Sequence, residues 1–271
     1  MGKRLLVAAL IVMTLAAPVT AQTADDCAPA QGEDGTYFCE TTDDIYRTFL
    51  YLAGRNDPDF RISCPLEAIS GQNSLTAVYK QALASDAGFI RWNVLNGAGS
   101  YSARDGVAQL RYMLSYRMTG DETAKSLEFA KDVVSGFDLT GLDDAGKMDL
   151  IREYVIQNWT YDETLQNNTP YAIFSNKTGA CLGYALGVFL LCKEAGLQAR
   201  TIHGYLDEGL LHIWLIVKLG GEWYTLETTE MRGGFYLNNA HPCTPMDEYL
   251  AESFTSKYPL AGAPYGVATS N

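Results

Sequence analysis

The most hydrophobic stretch beyond the first twenty residues runs from Cys181 to Glu194, where almost every position up to Cys192 is apolar or glycine. A helix that is apolar on nearly every side belongs in a protein core, so the pattern predicts a buried helix over 181–194. Gly183 and Gly187 fall on one face of this helix, where they would let another element approach closely. Gly196 stands where helices commonly end.

Three strand-like runs follow this helix, at 199–205, 212–219 and 222–228. Residues 212–219 are apolar on both faces, which is typical of a central strand. Gly220 and Gly221 predict a tight turn that pairs this strand with 222–228. A buried helix followed by antiparallel strands indicates an α+β fold.

The pattern upstream predicts a helical prelude and a hairpin. Thr41 and Asp44 resemble a capping box, and Gly54 would end that first helix. Further helices are expected near 74–85, 121–136 and 144–158, and paired strands at 88–95 and 107–118. We therefore divide the chain into an N-terminal helical and hairpin region at 22–140, a catalytic region at 141–262 and a tail at 263–271.

The first 21 residues have the pattern of a secretory signal peptide. Lys3 and Arg4 precede an apolar run from Leu5 to Ala17, and small residues end at Ala21. This run is too short to span a bilayer, and no later stretch is long and apolar enough to do so. We expect cleavage near Ala21 and a secreted or cell-envelope protein without a membrane span.

Composition and charge narrow the classes of partner. Hydrophobic residues make up 47% of the chain and charged residues 19%, which fits a packed globular protein. The formal charge is -12, and loss of Lys3 and Arg4 makes it -14, from 18 basic and 32 acidic residues. Such a surface repels nucleic acid and anionic lipid, so neither is expected as a partner.

Six cysteines offer several pairings in an exported chain, where disulfides are common. Cys27 and Cys39 flank a glycine-rich acidic turn and could close a small loop, and Cys64 with Cys243 is a further candidate pair. Cys192, inside the apolar helix, is expected to be a buried free thiol. If Cys181 stays free as a nucleophile, at least one other cysteine must remain unpaired.

Cys181 begins the buried helix. The electropositive end of a helix stabilises a thiolate over a thiol, and its N–H groups can bind an oxyanion during acyl transfer. A cysteine used only for packing would more naturally lie in the helix interior. The alternative interpretation is a core or disulfide-bonded cysteine.

His212 and Glu227 stand at the ends of neighbouring strands. A base at the end of a rigid strand facing a helix N-terminus is what thiol catalysis requires, and a carboxylate would orient its ring. His203 and His241 compete for the role of base. Taken singly, His212 and Glu227 could be ordinary strand-end residues.

Together these segments resemble the transglutaminase-like superfamily. The resemblance rests on Gly179–Ala185, Ala195–Arg200, Gly204, His212-Ile213-Trp214 and Gly221–Thr229. It is strong over about 145–232, where a helix followed by Thr160-Tyr161-Asp162 also resembles the segment before the family's cysteine. Residues 45–60 look like the helical prelude of some secreted bacterial members.

This resemblance implies a papain-like α+β fold, with the helix that starts at the cysteine packed on an antiparallel sheet. It also implies catalysis by Cys181, His212 and Glu227. Activities in the family include transglutamination and hydrolysis of peptide or amide bonds, so a protein, peptide or cell-wall substrate is expected. Glu227 stands where the family usually has aspartate, and Ile213 and Leu215 make the histidine strand unusually apolar.

Several alternatives stay open within and beyond this interpretation. The protein could be a cysteine peptidase, or a catalytically silent transglutaminase-like module that binds a surface partner. Gln166 and Asn176 are candidate side-chain donors to an oxyanion. No cofactor is expected, and no metal site either, because C-x-x-C, H-x-x-H and EF-hand spacings are absent from the sequence.

Overall fold

The computed structural model describes residues 29–70, 74–85, 89–205, 209–229, 236–238, 244–245 and 259–260. The predicted signal peptide, Cys27, His241 and Cys243 lie outside these ranges. Within the described part of the chain, no helix combines the length and the apolar character needed to cross a bilayer.

Helices and strands are mixed along the chain, as expected for an α+β protein. The helices are α1 (Thr42–Gly54), α2 (Leu75–Ser85), α3 (Phe89–Asn93), α4 (Gly120–Ser135), α5 (Asp144–Asn158), α6 (Pro170–Asn176) and α7 (Cys181–Glu194). The strands are β1 (Thr36–Phe38), β2 (Asp59–Pro65), β3 (Val94–Arg104), β4 (Val107–Tyr116), β5 (Thr160–Tyr161), β6 (Thr178–Gly179), β7 (Gln198–Tyr205), β8 (Leu211–Leu219), β9 (Glu222–Glu227), β10 (Tyr236–Asn238) and β11 (Thr244–Pro245).

The C-terminal sheet has the order β10-β9-β8-β7-β11, and its strands are antiparallel neighbours. β8 lies at its centre, between β7 and β9, as the apolar pattern of 212–219 predicts. Gly220 and Gly221 both have positive φ, at 57° and 93°, and make the turn between β8 and β9. The predicted helix followed by an antiparallel sheet is therefore confirmed.

Helix α7 is the centre of the larger core. All its residues from Leu182 to Cys192 are buried, and the helix packs against β7 and β8 and against α4, α5 and α6. The helix ends as predicted, since Gly196 has a φ of 76° and Leu197 N–H reaches back to the Cys192 carbonyl at 2.8 Å. This helix, enclosed over residues 182–192, thus fixes the position of its first residue, Cys181.

The N-terminal part forms a second core around a four-stranded sheet of order β1-β2-β4-β3. Thr41 and Asp44 make the predicted capping box at the start of α1. Phe49 of this helix packs edge-on against Phe60 and Tyr112 of the sheet, with ring centroids 5.7 and 5.1 Å apart.

One detail of the predicted N-terminal part is wrong. Residues 89–93 are helical, and the strand expected at 88–95 begins only at Val94. Their side chains explain the difference, because Trp92 Nε1 donates to Thr201 and Asn93 Nδ2 donates to Asn56, contacts that link distant segments. Helix α1 ends at Gly54, as predicted, and β2 begins at Asp59.

The described residues include four of the six cysteines. Cys39, Cys64, Cys181 and Cys192 are free thiols in the structure. Cys27 and Cys243, the predicted partners of Cys39 and Cys64, lie outside the described residues, so both of these pairings stay predictions. The expected free thiols at Cys181 and Cys192 are confirmed, and Cys192 is 0% exposed.

Candidate active site

Cys181 is the first residue of α7, directly after the N-cap residue Ala180. Thr41, Thr119, Asp143 and Thr169 cap α1, α4, α5 and α6 with their side chains. In contrast, Ala180 makes no side-chain cap for α7. Because the first N–H groups of a helix lack intrahelical partners, this helix start keeps its capacity to stabilise negative charge.

The loop before α6 holds the start of α7 in place through one buried carboxylate. Asp162 accepts hydrogen bonds from the backbone amides of Thr164, Gln166 and Asn167 at 2.9, 3.1 and 2.8 Å. The carbonyl of Asn167 then accepts the Ala180 amide at 2.9 Å. Hydrogen bonds, first of all from the Thr164 hydroxyl, hold the pKa of Asp162 well below its usual range. The carboxylate therefore stays ionised and the loop stays folded at neutral pH.

Gly183 allows this loop to lie against the first turn of α7. A Cβ at this position would lie 3.0 Å from the Asn167 carbonyl oxygen and 3.3 Å from that of Thr169. Both contacts are with backbone atoms, which cannot rotate away as a side chain could. The sequence predicted that another element would pack closely on these two glycines. In the structure, the loop packs on Gly183 and the Trp159 ring packs on Gly187.

His212 and Glu227 form a buried pair on neighbouring strands. His212 Nε2 lies 2.9 Å from Glu227 Oε2, and the two side chains are 2% and 0% exposed. The second carboxylate oxygen accepts from the amides of Thr228 and Thr229 at 2.7 and 2.8 Å. It also accepts from the Thr229 hydroxyl at 3.0 Å. Glu227 is therefore fixed by the chain that follows it, and it fixes the imidazole ring in turn.

The Cys181 side chain hydrogen-bonds to His212, so the structure brings together all three residues singled out from the sequence. Because Glu227 occupies Nε2, the other ring nitrogen, Nδ1, is left for the sulfur. A cysteine, an imidazole and an orienting carboxylate in this order form the arrangement used for nucleophilic catalysis by thiols.

The charge state of His212 follows from two opposed influences. Burial, the largest, favours the neutral ring, but the hydrogen bonds to Cys181 and Glu227 and the negative charges of both partners favour the imidazolium. The balance raises the pKa of His212 to about 9. At neutral pH the ring is therefore protonated when its two acidic partners are ionised.

Tyr161 is a neighbour of the thiol to which sequence reasoning assigned no role. Burial, followed by the charge of Cys181, raises the pKa of this tyrosine to about 12, and its side chain hydrogen-bonds to the backbone of Cys181. The parallel pairing of β5 with β6, in which Tyr161 is the partner of Gly179, brings it to the helix start. Only the short motif Thr160-Tyr161-Asp162 signalled this segment in the sequence.

The other candidates occupy different surroundings. His203 lies on β7, where its Nε2 is 3.3 Å from Arg91 and its ring packs edge-on against Trp92. Gln166 and Asn176 are exposed, and the backbone amide of Gln166 is bonded to Asp162. His241 lies outside the described residues. Within the described ranges, no three His, Cys, Asp or Glu residues are grouped as metal ligands would be.

Comparison with protein families matches residues 131–228 to the transglutaminase-like superfamily. The matched segment begins in α4 and ends just after β9, so it contains Cys181, His212 and Glu227. Comparison with curated proteins finds no significant match.

Among solved structures, the chain is similar to a TGase, with 14% identity and a TM-score of 0.36, over 84% of this chain and 64% of the other. A candidate cysteine protease from Cytophaga hutchinsonii gives 14% identity and a TM-score of 0.34, over 56% of this chain and 74% of that one. The periplasmic domain of TgpA from Pseudomonas aeruginosa gives 14% identity and a TM-score of 0.29, over 48% of this chain and 64% of that one. The chain thus spans slightly less than two thirds of the length of the TGase.

Proposed function

We propose that residues 131–228, which match the transglutaminase-like superfamily, form a thiol enzyme for acyl transfer or amide hydrolysis. Cys181 is the nucleophile, His212 is the base and later the acid, and Glu227 orients His212. The observation that carries the proposal is the chain of hydrogen bonds from Cys181 to His212 and on to Glu227.

The first step is attack by the Cys181 thiolate on the carbonyl carbon of a carboxamide or peptide. His212, whose pKa is raised to about 9, takes the proton of the thiol and pairs with the thiolate. As the carbon–nitrogen bond breaks, His212 gives that proton to the leaving amine. The products are a thioester on Cys181 and a free amine.

The second step resolves the thioester with water or with another amine. Neutral His212 takes a proton from that nucleophile, the carbonyl–sulfur bond breaks and the thiolate is restored. Water gives hydrolysis and an amine gives transfer, so the same three residues support either outcome. Glu227 keeps the imidazolium oriented in both steps and does not itself change protonation.

The negative charge that develops on the carbonyl oxygen needs donors close to the sulfur. The first turn of α7, which has no cap from the Ala180 side chain, supplies backbone N–H groups, and Tyr161, bonded to the Cys181 backbone, borders the same place. We assign the first turn of α7 as the oxyanion site. Gln166 and Asn176 remain candidate side-chain donors.

Glutamate in the third position is compatible with this mechanism. The extra methylene group is accommodated because Thr228 and Thr229 hold one carboxylate oxygen while the other reaches His212 at 2.9 Å. The substitution of glutamate for aspartate therefore gives no reason to prefer a silent binding module.

The substrate class proposed is a protein, peptide or cell-wall amide met outside the cytoplasm, since the first 21 residues have the pattern of a signal peptide. A cysteine peptidase and an amide-forming transferase differ only in the second nucleophile.

Trapping the acyl-enzyme tests the proposal. The folded protein would be mixed with an activated ester and, separately, with a glutamine-containing peptide, then quenched in acid and measured by intact mass spectrometry. A mass increase equal to one acyl group on Cys181, absent in Cys181→Ala, is expected. No adduct with either donor, in a protein shown to be folded, would leave a silent binding module as the better interpretation.

A further inference from the structure

We propose that Cys39 and Cys64 form a disulfide bond in the oxidised protein, joining β1 to β2 beneath α1. This inference concerns the N-terminal core and is independent of the function proposed for Cys181. The strand register places the two cysteines opposite each other.

The register follows from the pairing of β1 with β2. The strands are parallel, and the last paired residues are Phe38 and Ser63. The Cys39 amide then donates to the Ser63 carbonyl at 3.0 Å. In a parallel ladder, a residue bonds to the positions on either side of its partner, so this bond makes Cys64 the neighbour of Cys39. Adjacent strands lie about 4.8 Å apart, which is within the range of Cα separations found in disulfides.

Both side chains point into the same core. Cys39 and Cys64 are each 3% exposed, and both belong to the hydrophobic cluster that contains Phe49 and Tyr112. Burial, followed by the charge of Cys39, raises the pKa of the Cys64 thiol to about 11. Burial and the charges of both thiols raise the pKa of Tyr112. Both thiols therefore lie in the same core and on the same face of the paired strands.

A rotation of the side chains is the change needed to join them. Cys39 Sγ now lies 3.4 Å from the Thr48 hydroxyl of α1. If the sulfur turns toward Cys64, that hydroxyl can bond to the helix carbonyl four residues before it, as threonines in helices commonly do. The buried thiols of the folded protein are poor nucleophiles because burial raises their pKa, so the bond is expected to form while the chain folds.

The oxidant is a disulfide, such as oxidised glutathione or a thiol–disulfide oxidoreductase. The Cys39 thiolate attacks that disulfide, forms a mixed disulfide and releases one thiol. The Cys64 thiolate then attacks Cys39 Sγ and releases the second thiol. The two cysteines lose two protons and two electrons, and the oxidant becomes two thiols. An exported chain would meet such an oxidant.

Peptide mapping after refolding tests the proposal. The full chain would be refolded in a glutathione redox buffer, quenched in acid, alkylated in denaturant and cleaved with trypsin and a glutamate-specific protease. Cleavage after Glu33 and Glu40 separates Cys39, in residues 34–40, from Cys27, and cleavage after Arg61 and Glu67 isolates Cys64 in residues 62–67. The expected product is peptide 34–40 linked to peptide 62–67, which reduction separates.

Cys27→Ser is the matched control and should retain the link, whereas Cys39→Ala should leave Cys64 free for alkylation. A melting temperature that falls by about 5 °C on reduction of the wild type, and not of the Cys39→Ala and Cys64→Ala double variant, is also expected. Linkage of Cys39 to Cys27, or alkylation of both Cys39 and Cys64 in the refolded wild type, would overturn the proposal.

Discussion

The N-terminal core and the start of helix α7 place cysteine in opposite surroundings. In the N-terminal core, Cys39 and Cys64 lie among apolar and aromatic side chains, and burial raises the pKa of both thiols. At the start of α7, Cys181 is only partly buried and hydrogen-bonds to His212, and the imidazole of His212 also hydrogen-bonds to Glu227. The N-terminal core thus stabilises the neutral form of a thiol, whereas the start of α7 places a thiol beside the imidazole of His212.

Helix α7 itself contains both kinds of cysteine, eleven positions apart. Cys192, three turns after Cys181, is fully enclosed by the larger core, and burial raises the pKa of its thiol to about 12. Both cysteines lie on one rigid helix, so the difference between them comes from their neighbours and from their positions along the helix. We propose that the helix start and an imidazole partner set the reactivity of Cys181.

The largest effect is expected from truncating the two cysteines of α7 in turn. Cys181→Ala should reduce turnover by about 10³-fold or more, because the nucleophile is lost. Cys192→Ala should leave turnover within about twofold and cost about 1–2 kcal/mol of stability, because it removes one buried sulfur from the core. Steady-state kinetics and denaturant unfolding of both variants would measure the contrast. Equal losses of activity would contradict it.

Replacing the base should have an effect nearly as large. His212→Ala removes the proton acceptor and the partner of the thiolate, so turnover should again fall by about 10³-fold. His203→Ala is the matched control, since His203 is buried on the neighbouring strand beside Arg91 and Trp92. We expect this variant to keep its activity within about threefold. A larger loss for His203→Ala than for His212→Ala would reverse the assignment of the base.

A smaller effect is expected from Glu227→Gln, which keeps the shape and removes the charge. Turnover should fall by about 10–100-fold, since orientation is secondary to the nucleophile and the base. The pKa of His212 should fall below its value of about 9, because the carboxylate favours the imidazolium. The charged ring is lost as pH rises through that pKa, so the alkaline limb of activity should move to lower pH.

NMR titration of His212 in Cys181→Ser and in the Cys181→Ser, Glu227→Gln double variant would measure this shift. An unchanged pKa would mean that Glu227 does not stabilise the imidazolium.

The smallest of these effects on turnover is expected from Gly183→Ala. Its Cβ would meet the Asn167 carbonyl at 3.0 Å, so the loop fixed by Asp162 must move away from the helix start. We expect a loss of about 1–3 kcal/mol in stability and a loss of a few-fold in turnover. Gly54→Ala at the end of α1 is the control, because its Cβ would meet Ile90 at an ordinary 3.7 Å. Equal effects of the two substitutions would show that the loop contact is unimportant.

Much of the C-terminal half could be predicted from the sequence because its patterns are local. The apolar run of α7 and the glycine turn after β8 each specify their own structure, as does the capping box of α1 in the N-terminal part. The helix at 89–93 could not be predicted in this way, because Trp92 and Asn93 are held in it by contacts with the distant residues Thr201 and Asn56. A segment rich in residues that favour strands is a weak guide to secondary structure where such tertiary contacts determine it.

The candidate site divides in the same way. Cys181, His212 and Glu227 could be singled out because each stands at the end of an element. Tyr161 and the Asp162 loop could not, because their role arises from the pairing of β5 with β6 and from hydrogen bonds to segments nearby in space. The pairing of Cys39 stays a prediction, because proximity in sequence favours Cys27 whereas the parallel register of β1 and β2 places Cys64 beside it.

The rates at which individual cysteines are alkylated in the native protein test the central claim most directly. Native protein would be exposed to iodoacetamide at pH 7, quenched at intervals and mapped by mass spectrometry, with wild type and His212→Ala compared. We expect Cys181 to react at least about 100-fold faster than Cys192, and to slow by about 10-fold or more in His212→Ala. Labelling of Cys181 no faster than Cys192, or unaffected by loss of His212, would contradict the assignment of Cys181 as an activated nucleophile.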